Sequence, residues 1–404
     1  MEHFDAIIVG AGAAGLFCAG RAGQQGLRVL LLDHAAKVAE KIRISGGGRC
    51  NFTNRETTSA NFLSDNPRFC RSALARYTPR DFLNLVELHG IAWHEKHKGQ
   101  LFCDRRSEDI VAMLLRECDA GAVTRWQPCR VGAVRGVSGG FEIDTDRGCA
   151  FGTNLVVATG GLSIPQIGAS DFGYRLARQF GVPVVPPRPA LVPLTFEAAA
   201  WSPFAALSGV SLEVDLRTGS GRQAGRFVED LLFTHRGLSG PAALQVSSYW
   251  QPGAPLRIDL APGLDLAQAL LAAKRDSRRK LVNEVGQRLP SRLAEAWMAL
   301  RPGSGDRPVA EVPDRDLVQL ASGIHGWELT PSGTEGYRKA EVTAGGVDTR
   351  ALDSRSMMCP QQHGLHFIGE VVDVTGWLGG YNFQWAWASA FACATALGRA
   401  TRSA

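Results

Sequence analysis

The chain has 404 residues, of which 45% are hydrophobic and 21% charged, a balance that suits a folded protein of about two or three domains and excludes a disordered or fibrous one. A net charge of only +5, without a dense Lys/Arg run, argues against a nucleic-acid partner. Nine cysteines without a Cys-x-x-Cys pair argue against a zinc site or a disulfide framework, and for a reducing, cytoplasmic setting with no metal.

No basic segment precedes the first apolar run, and residues 6–20 are short and glycine-laden. Neither a signal peptide nor a membrane span is expected. Residues 6–9 read as a buried strand, followed by Gly10-Ala11-Gly12-Ala13-Ala14-Gly15, a helical stretch, and a second strand at 29–32 that ends on Asp33. This unit describes a site for a dinucleotide diphosphate. Gly10 permits the tight turn, Gly12 lets the backbone approach a pyrophosphate, and Gly15 lets the helix pack on the strand. Ala13 and Ala14 open a helix whose free N–H groups and dipole favour phosphate. Asp33 stands where a carboxylate can bond ribose hydroxyls.

Residues 41–54 form a glycine-rich loop. After Lys41, the run Ser45-Gly46-Gly47-Gly48 leaves backbone N–H groups bare for an anion or a flat ring. Arg49 can pair with phosphate or a ring carbonyl, and Cys50 and Asn51 close the loop. Cys50 is either a redox-active thiol or, the better reading, a small packed one. Helices are expected near 79–89 and 108–118, the second with Ser107 as N-cap. Strands at 141–145 and 149–157 flank an Asp-Arg-Gly turn. The second runs into Ala158-Thr159-Gly160, a strand end of the kind where open α/β sheets place ligands.

Five prolines within 183–193 read as a domain-crossing linker. Strands of antiparallel character follow at 210–216, 226–233 and 256–260, then helices over 264–300 that Pro290 interrupts. Near the end, a buried strand at 364–369 leads into Gly369-Glu370, Asp373, Gly380-Tyr381-Asn382 and Gln384, and then a helix over 382–397. The carboxylates of Glu370 and Asp373 can bond polyol hydroxyls. The N–H groups opening the last helix can face a carbonyl oxygen that becomes anionic on reduction.

Together the four segments suit a cofactor longer than NAD. Asp33 and the first glycines would hold an adenosine diphosphate half, and the C-terminal segment a ribityl chain and an isoalloxazine ring, which is FAD. No second Gly-x-Gly-x-x-Gly follows a strand, so NAD(P)H is expected only as a transient electron donor. The early strand–helix–strand unit and the late glycine-rich strand then belong to one domain, interrupted by an insert. His235, within that insert, is the candidate catalytic proton donor near the flavin, with a structural histidine in a turn as the competing reading.

These segments, in this order, resemble a flavoprotein family that includes BaiN-like bile-acid 3-oxo-Δ4,6-reductases and enzymes described as aminoacetone oxidases. The resemblance rests on Ile44 through Asn51 with Thr53-Asn54, Phe233-Thr234-His235 through Pro241, Val342 through Val347, and Gly369-Glu370 with Asp373 and Gly379 through Gln384. It implies an α/β architecture: a glutathione-reductase-like Rossmann FAD domain over 1–190 plus 344–404, a β-rich, barrel-like insert over 191–262 plus 324–343, and a helical insert over 263–323. The expected activity is an FAD-dependent oxidoreductase transferring hydride at flavin N5, in NAD(P)H-linked reduction of a small ketone or conjugated enone. The alternatives are an O₂-dependent oxidase of a small amine and a non-enzymatic or tRNA-associated flavoprotein. The expected partner is a small-molecule substrate, with no nucleic acid and no membrane.

Overall fold

The computed structural model describes residues 1–221, 224–301, 303 and 305–402. The chain divides into two compact units, one of residues 1–188 with 342–404 and one of residues 189–341.

The first unit is mixed α/β. Its central strand β1 (Glu2–Val9) buries Ala6, Ile7, Ile8 and Val9 in succession. An unbroken apolar run is what a parallel strand covered on both faces requires. On one side β1 pairs in parallel with β2 (Val29–Leu32), which in turn pairs with Thr124–Trp126. On the other it pairs in parallel with Gly148–Val157, against which Leu365–Phe367 also lies parallel. The antiparallel strands Gly140–Thr145 and Val131–Val137 complete this seven-stranded sheet.

Helix α1 (Ala13–Gly23) packs closely on Glu108–Ala120, because a Cβ on Gly20 would stand 3.0 Å from the Glu117 backbone. It also meets the long last helix, Tyr381–Arg402, with the rings of Phe17 and Trp387 5.8 Å apart. Thr78 and Asp81 form a capping box that starts the helix Pro79–Leu88. Ser107, by contrast, caps nothing: its hydroxyl donates to the Arg43 carbonyl and ties the helix Glu108–Ala120 to the glycine-rich loop.

The proline-rich stretch does cross from one unit to the other, between Arg188 and Pro189, but it is structured. Val184–Ala190 is a strand that pairs with Val342–Val347 in a two-stranded sheet. A strand with a neighbour on only one side tolerates proline, which has no N–H to donate.

The second unit carries an antiparallel seven-stranded sheet in the order Trp327–Leu329, Leu256–Asp259, Ser211–Thr218, Gly225–Phe233, Gly237–Ser239, Leu194–Thr195, Gly333–Thr334. Its core holds an aromatic cluster of Trp201, Phe204, Phe233 and Trp327. The same unit holds the helices Leu266–Asp276, Leu281–Val285, Ser291–Ala299 and Asp314–His325. Among the described residues, no helix is long and apolar enough to cross a membrane.

Candidate functional site

The site lies at the carboxyl ends of the first unit's parallel strands. Gly10 follows β1 at φ +108°, and a Cβ there would stand 2.4 Å from the Ala158 carbonyl oxygen. A Cβ on Gly15 would stand 1.8 Å from the Gly10 carbonyl oxygen. These two glycines are therefore required by packing alone. Gly12 differs: apart from its chain neighbours and its own helix backbone, no protein atom lies within 4 Å of the position its Cβ would take. It is the N-cap of α1, and no side chain caps the N–H groups around Ala13 and Ala14. The result is an open cradle at a helix N-terminus, which fits a pyrophosphate.

Asp33 ends β2. Its carboxylate accepts from the N–H groups of Ala11 at 2.6 Å and Ala35 at 2.8 Å, tying the glycine turn to the strand. A carboxylate has about four acceptor positions, so ribose hydroxyls can still be bonded. At the end of Gly148–Val157, Ala158 is buried and the Thr159 hydroxyl is buried without a partner. Gly160 sits at φ +72° facing open space.

The short helix α2 (Glu40–Ile44) runs into the turn Ser45–Gly48, where Gly46, Gly47 and Gly48 take successive left-handed conformations. Gly46 is held against the Phe102 ring and the Asn51 N–H, while Gly47 and Gly48 face open space. Arg49 is exposed and makes no ion pair among the described residues. Cys50 is fully buried, and burial pushes its thiol up to about 12 despite a hydrogen bond from Ser45. A thiol so placed is a packed group, not a reactive one. The Asn51 amide donates to the Leu101 and Thr53 carbonyls and accepts from the Gly380 N–H at 3.1 Å.

The C-terminal segment closes on these loops. A Cβ on Gly369 would stand 2.8 Å from the Ala14 Cβ, and one on Gly380 2.4 Å from the Thr53 carbonyl oxygen. Its side chains, however, are engaged with protein groups. Glu370 pairs with Lys41 at 2.6 Å and accepts from the Thr343 N–H at 2.9 Å, and Lys41 also donates to Ser163. Asp373 is buried and accepts from the Asp65 N–H at 2.9 Å; burial raises its carboxyl above the usual range against that bond. Asn382 clasps the backbone of Gly376 and Trp377. Gln384, fully buried, accepts from Thr53 at 2.6 Å and donates to the Tyr77 carbonyl at 2.8 Å. Tyr381 packs edge-on against Phe62. What this segment leaves for a cofactor is mostly backbone.

Ser163 and Thr343 hold Lys41 and Glu370; Thr343 lies in the Val342–Val347 segment that carries the resemblance, whereas Ser163 carries no motif signal, and the role of both was legible only in three dimensions. His235 is exposed in the turn between Gly225–Phe233 and Gly237–Ser239 of the second unit. Among the described residues no group of three or more His, Cys, Asp or Glu side chains could hold a metal, and all nine cysteines are free.

A Rossmann-type sheet with an open glycine cradle and a second glycine-rich loop suits an FAD-dependent oxidoreductase, the class that the family and relatives show. Residues 4–396 match the model described as HI0933-like protein Rossmann domain, and the chain belongs to that family. It is 51% identical over 396 residues to the ribosomal RNA dihydrouridine synthase of Escherichia coli, covering 98% of each chain. It is 47% identical to the ribosomal RNA dihydrouridine synthase of Haemophilus influenzae, covering 98% of this chain and 99% of that one. The 3-dehydro-bile acid delta(4,6)-reductase of Clostridium scindens is 27% identical, covering 95% and 96%. A 3-ketosteroid-delta4-(5alpha)-dehydrogenase from Rhodococcus jostii shares the fold, at TM-score 0.50 and 12% identity over 98% of this chain and 97% of that one.

Two expectations are overturned by these relatives. The small-molecule ketone or enone reductase reading, drawn from the bile-acid branch, gives way, because the two relatives near 50% identity are named for ribosomal RNA. The exclusion of nucleic acid fails for the same reason. It rested on whole-chain charge, which averages away local concentrations, and on the expectation of no dense Lys/Arg run. The basic run it overlooked is Lys274-Arg275-Asp276-Ser277-Arg278-Arg279-Lys280, five cations in seven residues.

Proposed function

We propose that this chain is an FAD-dependent ribosomal RNA dihydrouridine synthase that uses NAD(P)H as electron donor. The observation that carries this reading is full-length identity of 51% and 47% to two proteins of that name. The net reaction adds two hydrogens across the uracil C5=C6 bond, one as hydride at C6 and one as a proton at C5, while NAD(P)H becomes NAD(P)⁺. The C4 carbonyl conjugated to that bond makes C6 the electrophilic carbon. FAD, when bound, supplies the two-electron hydride chemistry that no side chain can.

The residues present fit that group. Gly12 with the N–H groups of Ala13 and Ala14 would hold the pyrophosphate, and Asp33 the adenosine ribose. The bare backbone at Gly47, Gly48 and Gly160 would border the flavin, with Arg49 available to an anionic oxygen. Lys41, Ser163 and Thr343 would position Glu370, and Asn382, Gln384 and Asn51 would hold the backbone around Gly380 in shape. A uracil must leave its stack to meet a flavin, so unpaired regions of ribosomal RNA are the expected targets. Such a substrate, with nine unpaired thiols, agrees with the cytoplasm.

The test is incubation of the holoenzyme with protein-free ribosomal RNA and NADPH or NADH, followed by nucleoside mass spectrometry. A uridine heavier by two hydrogens is expected. A bleached flavin with unaltered uridine in RNA lacking dihydrouridine at the outset would overturn the reading.

A further inference from the structure

We propose that the basic segment at residues 274–292 of the second unit is a phosphate-binding surface that docks ribosomal RNA, a proposal that rests on the function above. This stretch holds seven cations, Lys274, Arg275, Arg278, Arg279, Lys280, Arg288 and Arg292, against two carboxylates, Asp276 and Glu284. It therefore carries as much net positive charge as the whole chain, whose remaining residues balance to neutrality. It spans the end of the helix Leu266–Asp276, the turn after it, the helix Leu281–Val285, and the stretch from there to the start of the helix Ser291–Ala299.

The surface is built rather than merely charged. Glu284 is buried, accepts from the Ser277 hydroxyl at 2.5 Å, and bonds Arg288 at 3.4 Å. Arg279 lies 3.9 Å from the same carboxylate. That anchor fixes the turn. A surface hollow of about 640 Å³ opens there, lined by Ala273, Asp276, Ser277, Arg278, Arg279 and Glu284.

Lys274 and Lys280 are paired with Asp314 and Asp306. Arg275 and Arg278 are exposed and make no ion pair among the described residues. Of these two solvent-facing guanidiniums Arg278 lines the hollow, and both are suited to bidentate phosphate contacts, which arginine makes better than lysine. A regularly spaced polyanion satisfies several such cations at once and gains by releasing counterions.

The test is the double variant Arg275→Glu/Arg278→Glu, assayed as full-length holoenzyme for binding to protein-free ribosomal RNA across a salt series. Both residues are exposed, so flavin content and thermal melting should match the parent. We expect affinity at about 0.1 M salt to fall roughly tenfold or more, and the log–log salt slope to shrink by about one to two. Turnover at saturating RNA should persist while KM rises. The Arg275→Lys/Arg278→Lys variant, which keeps the charge, should recover most of the binding, and Arg275→Gln/Arg278→Gln should fall between. Unchanged affinity and slope in the Glu variant, with the parent forming dihydrouridine, would overturn the docking surface alone, as would a segment that serves a protein partner instead. A parent that forms no dihydrouridine would overturn the function while leaving the binding result to stand separately.

Discussion

The two glycine-rich ends of the candidate FAD site are built in opposite senses. At the N-terminal end the protein packs up to Gly10 and Gly15 and then leaves Gly12 facing empty space. At the C-terminal end, Glu370, Asp373, Asn382 and Gln384 all turn to protein partners, and the freedom lies in the backbone they hold. At the first end the open space lies at a helix terminus. At the second it borders a main chain braced by side chains. A conspicuous polar side chain beside a glycine run is thus not by that fact a ligand contact.

The sharpest way to break this comparison is a pair of glycine variants. Gly15→Val places a side chain 1.8 Å from a carbonyl oxygen, so the folded protein itself should be lost. Gly12→Val meets no protein atom within 4 Å, so melting should be kept while flavin occupancy falls by roughly tenfold or more. Absorbance near the flavin band against circular dichroism separates the two. A Gly12→Val protein that copurifies with full FAD would refute the cradle.

Smaller effects probe the braced end. Gln384→Ala strips two buried hydrogen bonds and leaves Thr53 and the Tyr77 carbonyl unpaired. A loss of about 2–4 kcal/mol is expected in denaturant unfolding, without a selective effect on RNA binding. His366, in the strand Leu365–Phe367 leading into this segment, is buried, and that burial lowers its pKa to about 4 from an ordinary 6.5. The unfolded chain takes up its proton first, so this stability is complete above pH 6.5 and declines as pH falls toward 4. At pH 5 the loss is about 2 kcal/mol, and His366→Leu should flatten that part of the pH profile. Smallest of all, Cys50→Ala should change FAD content little, and Cys50 in the native protein should resist alkylation at pH 8, since burial holds its thiol near 12.

Much of the first unit was legible in the chain, because local rules determine it. The apolar run at 6–9, the glycine spacing and Asp33 report one strand–helix–strand unit whose parts are neighbours in sequence. The Lys41–Glu370 pair and the Thr53–Gln384 bond were not legible, since each joins residues more than 300 positions apart. The prolines at 183–193 marked the crossing between the two units but hid the strand there, because a strand with one neighbour tolerates them. The proposed substrate was hard to read for a chemical reason: a uracil in RNA and a free enone present the same conjugated bond to a flavin. A whole-chain total also conceals the local charge of residues 274–292, the segment proposed above to dock RNA.

The most direct test of the account is mass spectrometry of nucleosides from dihydrouridine-free ribosomal RNA treated anaerobically with the holoenzyme and a reduced nicotinamide. The account predicts uridine converted to a product heavier by two hydrogens at one or a few sites, dependent on FAD and on the nicotinamide. Unaltered uridine, with the flavin reduced and the RNA bound, would contradict it.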